Sequence, residues 1–463
     1  MAPAHGRTTR LGRDDRGDAM TRAARILLAG ASILVLVEAL SLVERGADGL
    51  SDIGIFYRTC TLLREGERAI YPRADAVTGW PISMPPVGWA IFQPFSRLTP
   101  WGSSAAWALF NLALLAAALI LQRRVLLRTG DSRYVRAWPW SAALLLILSA
   151  GSIQVGQFSV LFVTCWLLFL DAFGRSRTPA SALWLAIPAA IKIYPVGLLA
   201  IPLSMSLESA TRRPAAFIGV TARTLAWAAA GVLLMWFAVP ALAYGRDTIP
   251  LNMAWWHGVI LNNAQMDYLQ DLRAITNQSL DTVLLRYASY DPAFHDQYAW
   301  LPHLAFSKAT VLRGADLVRV VIIGISLAAV WKRAKTGAMS AVMLIDVAAL
   351  WVAVLYNVVP ETKSRYAVYT FIAFLPWIAR AADPSMPVNR RVWFGGVVVA
   401  STICALVLLP DVLQAWGVGF IGPFVLWAGN VRFVTLPGVP DVVDPDLAVG
   451  ADLRVHGIDD EQH

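Results

Sequence analysis

The stretch ILLAGASILVLVEALSLV (Ile26–Val43) decides the fold. Its eighteen residues are apolar or small apart from a single acid, Glu38. As a helix it is about 27 Å long at 1.5 Å per residue, close to the roughly 30 Å hydrocarbon core of a bilayer. The run is long for a secretory leader, no clear A-x-A site follows it, and many more apolar runs come after. It therefore reads as a first membrane span, preceded by a basic, turn-rich N-terminus (1–25) in the cytoplasm. Composition extends that reading to the whole chain of 463 residues: 57% are hydrophobic and only 15% charged, against roughly a quarter charged in soluble domains. The expected fold is an all-α polytopic membrane protein.

The formal net charge of +8 does not point to nucleic acid, because the basic residues fall mainly in loops between apolar runs. There they set topology and attract anionic headgroups of membrane lipids. The 19 Trp suit membrane interfaces. Cys60, Cys165 and Cys404 are scattered and the six His are dispersed, so no disulfide framework, metal spacing or cofactor is read. The cytoplasmic loops are short and lack a phosphate-cradling glycine motif.

Arginine placement orders the spans. Arg123, Arg124, Arg128, Arg133 and Arg136 put 123–136 inside, so 44–100 is an outer loop and 103–122 a span. PPVGWAIFQPF (Pro85–Phe95) is too short and proline-rich to cross, and reads as a re-entrant or interfacial element. Carrying the count onward predicts about twelve spans within a membrane domain 26–435, a second outer loop at about 245–311, and an acidic, disordered cytoplasmic tail at 436–463. The two arms around Lys192 are short, which sinks their turn below the outer surface.

The first outer loop opens with GLSDIGIFYRTCTLLREGERAIYP (Gly49–Pro72). Ser51 is in N-cap position, Asp52 starts a helix, and Gly66 closes it. Ile53, Phe56, Cys60 and Leu63 share one stripe, with Arg58, Arg64 and Glu65 elsewhere. Two roles stand for Asp52: complement to the dipole of an interfacial anchor helix, or a reactive carboxylate outside the membrane. Polar groups from separate segments gather on that same side: Asp52, Arg58, Lys192, His257, Asn277, Arg286, Lys363 and Arg365. If the chain performs a reaction, it does so there.

Four stretches carry a resemblance: SDIGIFYRTCTLLREGERAIYP, MPPVGWAIFQPFSRL…WALFNLALL, GQFSVLF…PAAIKIYPVGLL and NQSLDTVLLRY, with a weaker echo at KSRYAVYTFIAFLPW. In that order they resemble glycosyltransferase family 87, the polyprenyl-phosphate-mannose-dependent mannosyltransferases. That family includes the phosphatidylinositol-mannoside mannosyltransferases of actinobacteria. The chain departs from the pattern at Met84, where a Tyr often precedes two prolines, and at Arg365, where a His often precedes the Tyr. The resemblance implies a GT-C bundle with short juxtamembrane helices in the outer loops and an inverting mechanism. It also implies a lipid-phosphate sugar as donor and a glycolipid or glycan as acceptor. A pentosyl (arabinosyl) transferase using the same carrier, or a lipid or solute transporter, are the rival readings; a transporter predicts paired broken helices and more mid-membrane charge.

Inversion by direct displacement needs one base, positive charge at the leaving phosphate, and exclusion of water. Asp52 is the expected base, with Asp48 its nearest rival. Lys192 is expected at the donor phosphate or, alternatively, as a snorkelling lysine; Tyr194 and Tyr57 are expected to line the same pocket. His257 is a donor to phosphate or acceptor, or a lone interfacial histidine. Asn277 and Gln278 suit sugar hydroxyls, while Asn277 or Ser279 equally suits a helix cap. Arg286, Lys363 and Arg365, beside Tyr366, suit a phosphate or headgroup, or plain ion pairing and anchoring. The intramembrane acids Glu38 and Asp346 are expected to support packing rather than relay protons.

Overall fold

The computed structural model describes residues 15–49, 51–71, 73–176, 179–212, 214–261, 275–336, 340–359 and 362–435. Most of the basic N-terminus, the tail 436–463 and residues 262–274 of the second loop lie outside these. Among the described residues the regular structure is helical, and strand pairing is confined to isolated bridges such as Ala74 with Pro81. The all-α expectation holds.

Among the described residues, seven helices are long and apolar enough to cross a membrane: Arg22–Ala47, Pro100–Leu127, Ser132–Val155, Phe217–Leu261, Lys308–Thr336, Ala341–Val358 and Val418–Thr435. The expected count of about twelve is not reached by length and composition. Several remaining apolar runs divide into short pieces, because proline and tight turns interrupt them. The pair around Lys192 becomes Leu183–Ile191, a 3-10 turn Tyr194–Leu199, and Ala200–Arg212. The run after Arg365 becomes a 3-10 turn Ser364–Thr370 and the eleven-residue helix Phe371–Ala381, with Pro376 inside it.

We name α1 (Asp15–Ala47), α2 (Asp52–Arg64), α3 (Pro86–Phe92), α4 (Pro100–Leu127), α5 (Ser132–Val155), α6 (Ser159–Ser176), α7 (Leu183–Ile191), α8 (Ala200–Arg212) and α9 (Pro214–Leu233). α1 packs along α4 and α5, and α4 along α6; the helix Ala341–Val358 lies inside the bundle among Lys308–Thr336, Phe371–Ala381 and Ile421–Thr435. That helix is apolar all round, as a helix enclosed by neighbours must be; its one acid, Asp346, accepts from the Tyr134 hydroxyl at 2.7 Å. The pairing matches the packing role expected of Asp346. The outer helices instead expose Leu40 on α1, Leu109 on α4 and Leu317 on Lys308–Thr336, each more than 60% accessible. So many apolar side chains facing outward suit lipid, not water.

A further departure concerns the second loop. Helical turns continue past Tyr244 to Leu261, broken at Gly245, where a loop was expected. Apolar residues such as Leu251 and Trp255 give this segment a face to bury. It docks on the first loop, with Arg68 Nε 2.8 Å from Asp247 Oδ2 and Trp255 Nε1 donating to the Ser83 carbonyl at 2.9 Å.

The first loop is itself packed. Ile53, Phe56, Cys60 and Leu63, the expected stripe, are all buried. Phe56 meets Trp89, Phe92 and Phe158 at ring distances of 5.6–5.8 Å. Each such aromatic pair adds about 0.5–1.5 kcal/mol beyond area burial. α2 ends as expected at Gly66, whose amide donates to Leu63 while that of Glu67 reaches back to Leu62, the bonding pattern of a Schellman cap. Its start is held by close backbone approach: a Cβ on Gly54 would lie 2.5 Å from the Gly49 carbonyl oxygen. Gly54→Ala is therefore expected to displace the head of α2 and cost about 1–3 kcal/mol, read as a lowered melting temperature in detergent.

Candidate active site

Asp52 is the first residue of α2 and is buried, 6% accessible. Ser51 has the extended backbone of an N-cap but its hydroxyl makes no capping bond. What holds Asp52 comes from far along the chain. α5 stops at Gly156, in the left-handed region at φ +78, where a side chain is strained. A Cβ there would also sit 3.0 Å from Ile53 Cβ. Trp107 Nε1 donates to the Gly156 carbonyl at 2.8 Å and fixes this turn. The next residue, Gln157, donates its side-chain amide to Asp52 Oδ2. From a third direction Arg365 Nη1 lies 3.4 Å from the same oxygen.

Arg365 belongs to the turn Ser364–Thr370, which is seated on α5 and α6. Ser159 Oγ lies 3.0 Å from the Tyr369 hydroxyl and 3.5 Å from the Arg365 carbonyl. The same turn presents Tyr366, over which both cations gather: Lys192 Nζ is 3.9 Å and the Arg365 guanidinium carbon 5.2 Å from its centroid. Such contacts are worth about 0.5–2 kcal/mol each, and they hold two positive charges near one ring. Tyr194 lies 5.8 Å from Lys192 Nζ and meets Tyr369 edge-on at 6.0 Å. One carboxylate, one amide, two cations and three tyrosines thus converge from α2, the α5–α6 turn, the Lys192 turn and the 364–370 turn.

Beside them a miniature hairpin closes the first loop. Asp75 N donates to the Trp80 carbonyl and Ile82 N to that of Arg73, both at 2.8 Å. Asp75 is gripped by Arg58 through two bonds of 2.7 and 2.6 Å and by Thr78 through amide and hydroxyl, both 2.8 Å. Burial pushes the Asp75 carboxyl up, but the bonds from Arg58 and Thr78 outweigh it and bring it to about 2. A depressed carboxylate contributes stability above its ordinary value near 4 and loses it as pH falls through about 2. The clasp is accordingly expected to stay closed from pH 5 to 9, checked by an unchanged protease cleavage pattern of this loop across that range.

The other expected site residues are placed apart from this cluster or in support of it. Tyr57 donates to the Leu98 carbonyl at 3.3 Å, tying α2 to the turn before α4. Asn277 Oδ1 accepts from Thr362 N at 3.0 Å and Gln278 N donates to the Thr362 carbonyl at 2.9 Å, so these two staple the chain three residues before Arg365. The Gln278 side chain continues to Gln414 and Gly419. Ser279, as one of the alternatives had it, caps the helix Leu280–Ala288. Arg286 is fully buried and donates to the Gln414 and Asn277 carbonyls at 3.0 Å each; burial lowers its guanidinium to about 10, still charged at neutral pH. Its guanidinium carbon lies 5.8 Å from the ring centroid of Phe294, a member of the small core with Leu285, Leu301, Val311 and Ala415. Arg286→Ala is expected to cost about 2–4 kcal/mol through unpaired carbonyls and a void, seen as a lower melting temperature.

Lys363 is half-buried at the head of the 364–370 turn, accepting from Tyr366 N at 2.8 Å through its carbonyl. His257 is exposed on the π-helical turn Trp256–Leu261, and Asp48 is exposed before α2. Gln157, Tyr369, Asp75 and Trp80 were not singled out from the sequence. Gln157 had a signal: an amide directly after a glycine in the outer turn GSIQVGQ.

An apolar groove of about 460 Å³ runs between α7, the turn Tyr194–Leu199 and α9, lined by residues including Leu185, Ala189, Val196, Leu199 and Trp236. Two of the elements that line it, α7 and the turn Tyr194–Leu199, are joined through Lys192 and Ile193. The sequence profile of glycosyltransferase family 87 matches residues 84–355, more than half of the chain. The chain belongs to that family. It is a glycosyltransferase built into a multi-pass membrane protein. The match takes in Gln157 and Lys192, while Asp52 and Arg365 flank it on either side. No curated protein and no solved structure matches the chain.

Proposed function

We propose that this family 87 glycosyltransferase moves mannose from polyprenyl-phosphate-mannose to a glycolipid or glycan acceptor at the outer face of the plasma membrane, with Asp52 as general base. The observation that carries the reading is the buried Asp52 carboxylate facing Arg365, with Lys192 and Arg365 over one ring, Tyr366, and an apolar groove lined by the elements that flank Lys192. Phosphate is the leaving group: the bond from C1 to the phosphate oxygen breaks and takes its electron pair to phosphate. The acceptor oxygen bonds to C1 from the opposite face, and its proton passes to Asp52. Gln157 and Arg365 both engage Oδ2, so Oδ1 is the oxygen assigned to the proton. Arg365 and Lys192 neutralise the departing phosphate. The groove takes the first isoprene units, and each buried methylene favours binding by about 0.8 kcal/mol.

The test is transfer of labelled sugar in membranes that carry the protein, supplied in turn with polyprenyl-phosphate-mannose, the corresponding pentose donor, and a nucleotide-mannose with lipid-donor synthesis blocked. Transfer from the first alone is expected. Preference for the pentose donor replaces the sugar assignment, and sustained transfer from the nucleotide overturns the donor class. Orientation has its own check. Asp48 is exposed, so Asp48→Cys is expected to react with a membrane-impermeant maleimide in intact cells; reaction only after lysis places the site in the cytosol and ends the proposal.

A further inference from the structure

We propose that Trp80 forms the wall against which the transferred sugar packs, positioned there by the Arg58–Asp75 clasp. The inference rests on the reading of Asp52, Arg365 and Lys192 as the site of sugar transfer, and adds a residue that determines sugar recognition. Trp80 sits at the closing end of the 73–82 hairpin, whose Ala74–Pro81 bridge and Asp75–Trp80 bond leave it little freedom. Its ring centroid lies 6.0 Å from the guanidinium carbon of Arg365, the residue that faces Asp52. It packs against the core of the bundle but is only half-buried, so the residue is not wholly enclosed.

Chemistry narrows what that surface takes. The donor's phosphate has two cations and its lipid has the apolar groove, so neither calls for an indole. A pyranose has one face of C–H bonds carrying partial positive charge, and the negative face of an indole attracts such a surface as it does a cation. A wall one guanidinium away from the base is placed for the sugar ring. The clasp explains why an otherwise exposed hairpin is so firmly bonded. Arg58 gives two bonds to Asp75 and a third to the Gly49 carbonyl at 2.9 Å. One side chain therefore ties the hairpin to the turn that leads into Asp52.

The experiment compares a sugar-bearing with a sugar-free ligand. Steady-state transfer from polyprenyl-phosphate-mannose is measured for Trp80→Ala, Trp80→Phe and Asp75→Asn, together with the inhibition constant of sugarless polyprenyl phosphate. Trp80→Ala is expected to lower kcat/KM roughly tenfold to a hundredfold, the size of losing one stacked aromatic contact, with the inhibition constant unchanged. Trp80→Phe is expected to keep most of the activity, and Asp75→Asn to repeat the selective loss in milder form. Unchanged kcat/KM in Trp80→Ala overturns the inference, as does an equal loss for both ligands. Should Trp80→Ala fail to fold, Trp80→Leu, which keeps bulk without an aromatic face, decides by the same two readouts. Failure here leaves the Asp52 reading standing, because Asp52→Asn tests the base independently. Conversely, an active Asp52→Asn with a selective Trp80 loss removes the base and keeps the wall.

Discussion

Asp52→Asn is expected to reduce sugar transfer by roughly 10²–10⁴-fold, the usual contribution of a positioned general base. The substitution is nearly isosteric. An Asn carbonyl oxygen still accepts from Gln157, and the stripe Ile53, Phe56, Cys60 and Leu63 stays buried. Fold and expression should therefore survive, checked by an unchanged melting temperature. On the proposed mechanism the loss falls on kcat, because the carboxylate would take the acceptor proton in the transition state and contribute little to holding the donor. The measurement is the initial rate of labelled sugar transfer in membranes at saturating donor. A variant that matches the native rate would remove Asp52 as the base, and exposed Asp48 would become the next acid to test.

Arg365→Gln carries the second-largest expected effect. Arg365 bears on both halves of the proposed chemistry: it faces Asp52 at 3.4 Å and stands over the Tyr366 ring that also holds Lys192. Losing a charge-assisted contact to phosphate costs about 1.5–3 kcal/mol, so kcat/KM should fall by roughly ten to a hundred and fifty. Donor KM should rise and kcat fall together, since the phosphate is held before the reaction and carries more charge during it. The turn that bears Arg365 is anchored by the Thr362–Asn277 bond and by Tyr369, not by the guanidinium, so the fold is a fair control. Lys192→Ala should show a smaller change weighted toward KM. An Arg365→Gln variant with native donor KM would assign the arginine to holding Asp52 alone.

The site was legible in the sequence to different depths. Asp52 at the head of α2, its buried stripe and its glycine-terminated end follow from spacing that repeats every helical turn, and local rules act within such a turn. Lys192 announced itself as a charge inside an apolar hairpin. Arg286, Asn277 and Gln278 looked like equally good ligands because composition reports polarity, not partner. The fold spends Arg286 on the Gln414 carbonyl and Gln278 on that carbonyl and the Gly419 amide, and uses Asn277 to brace the chain next to Arg365. Trp80 gave no warning and Gln157 only its place after a glycine in an outer turn, since their significance lies in contacts far along the chain or across a hairpin.

The sequence by itself determined that this chain is a helical membrane protein with an acid-led amphipathic helix after its first span. Those features depend on hydropathy and on periodicity over tens of residues. Only the tertiary structure decided which polar groups share a site: it brought Gln157 and Arg365, 105 and 313 positions from Asp52, onto one carboxylate. Contacts of that separation depend on how helices pack and where a glycine turn ends. No local pattern encodes that packing.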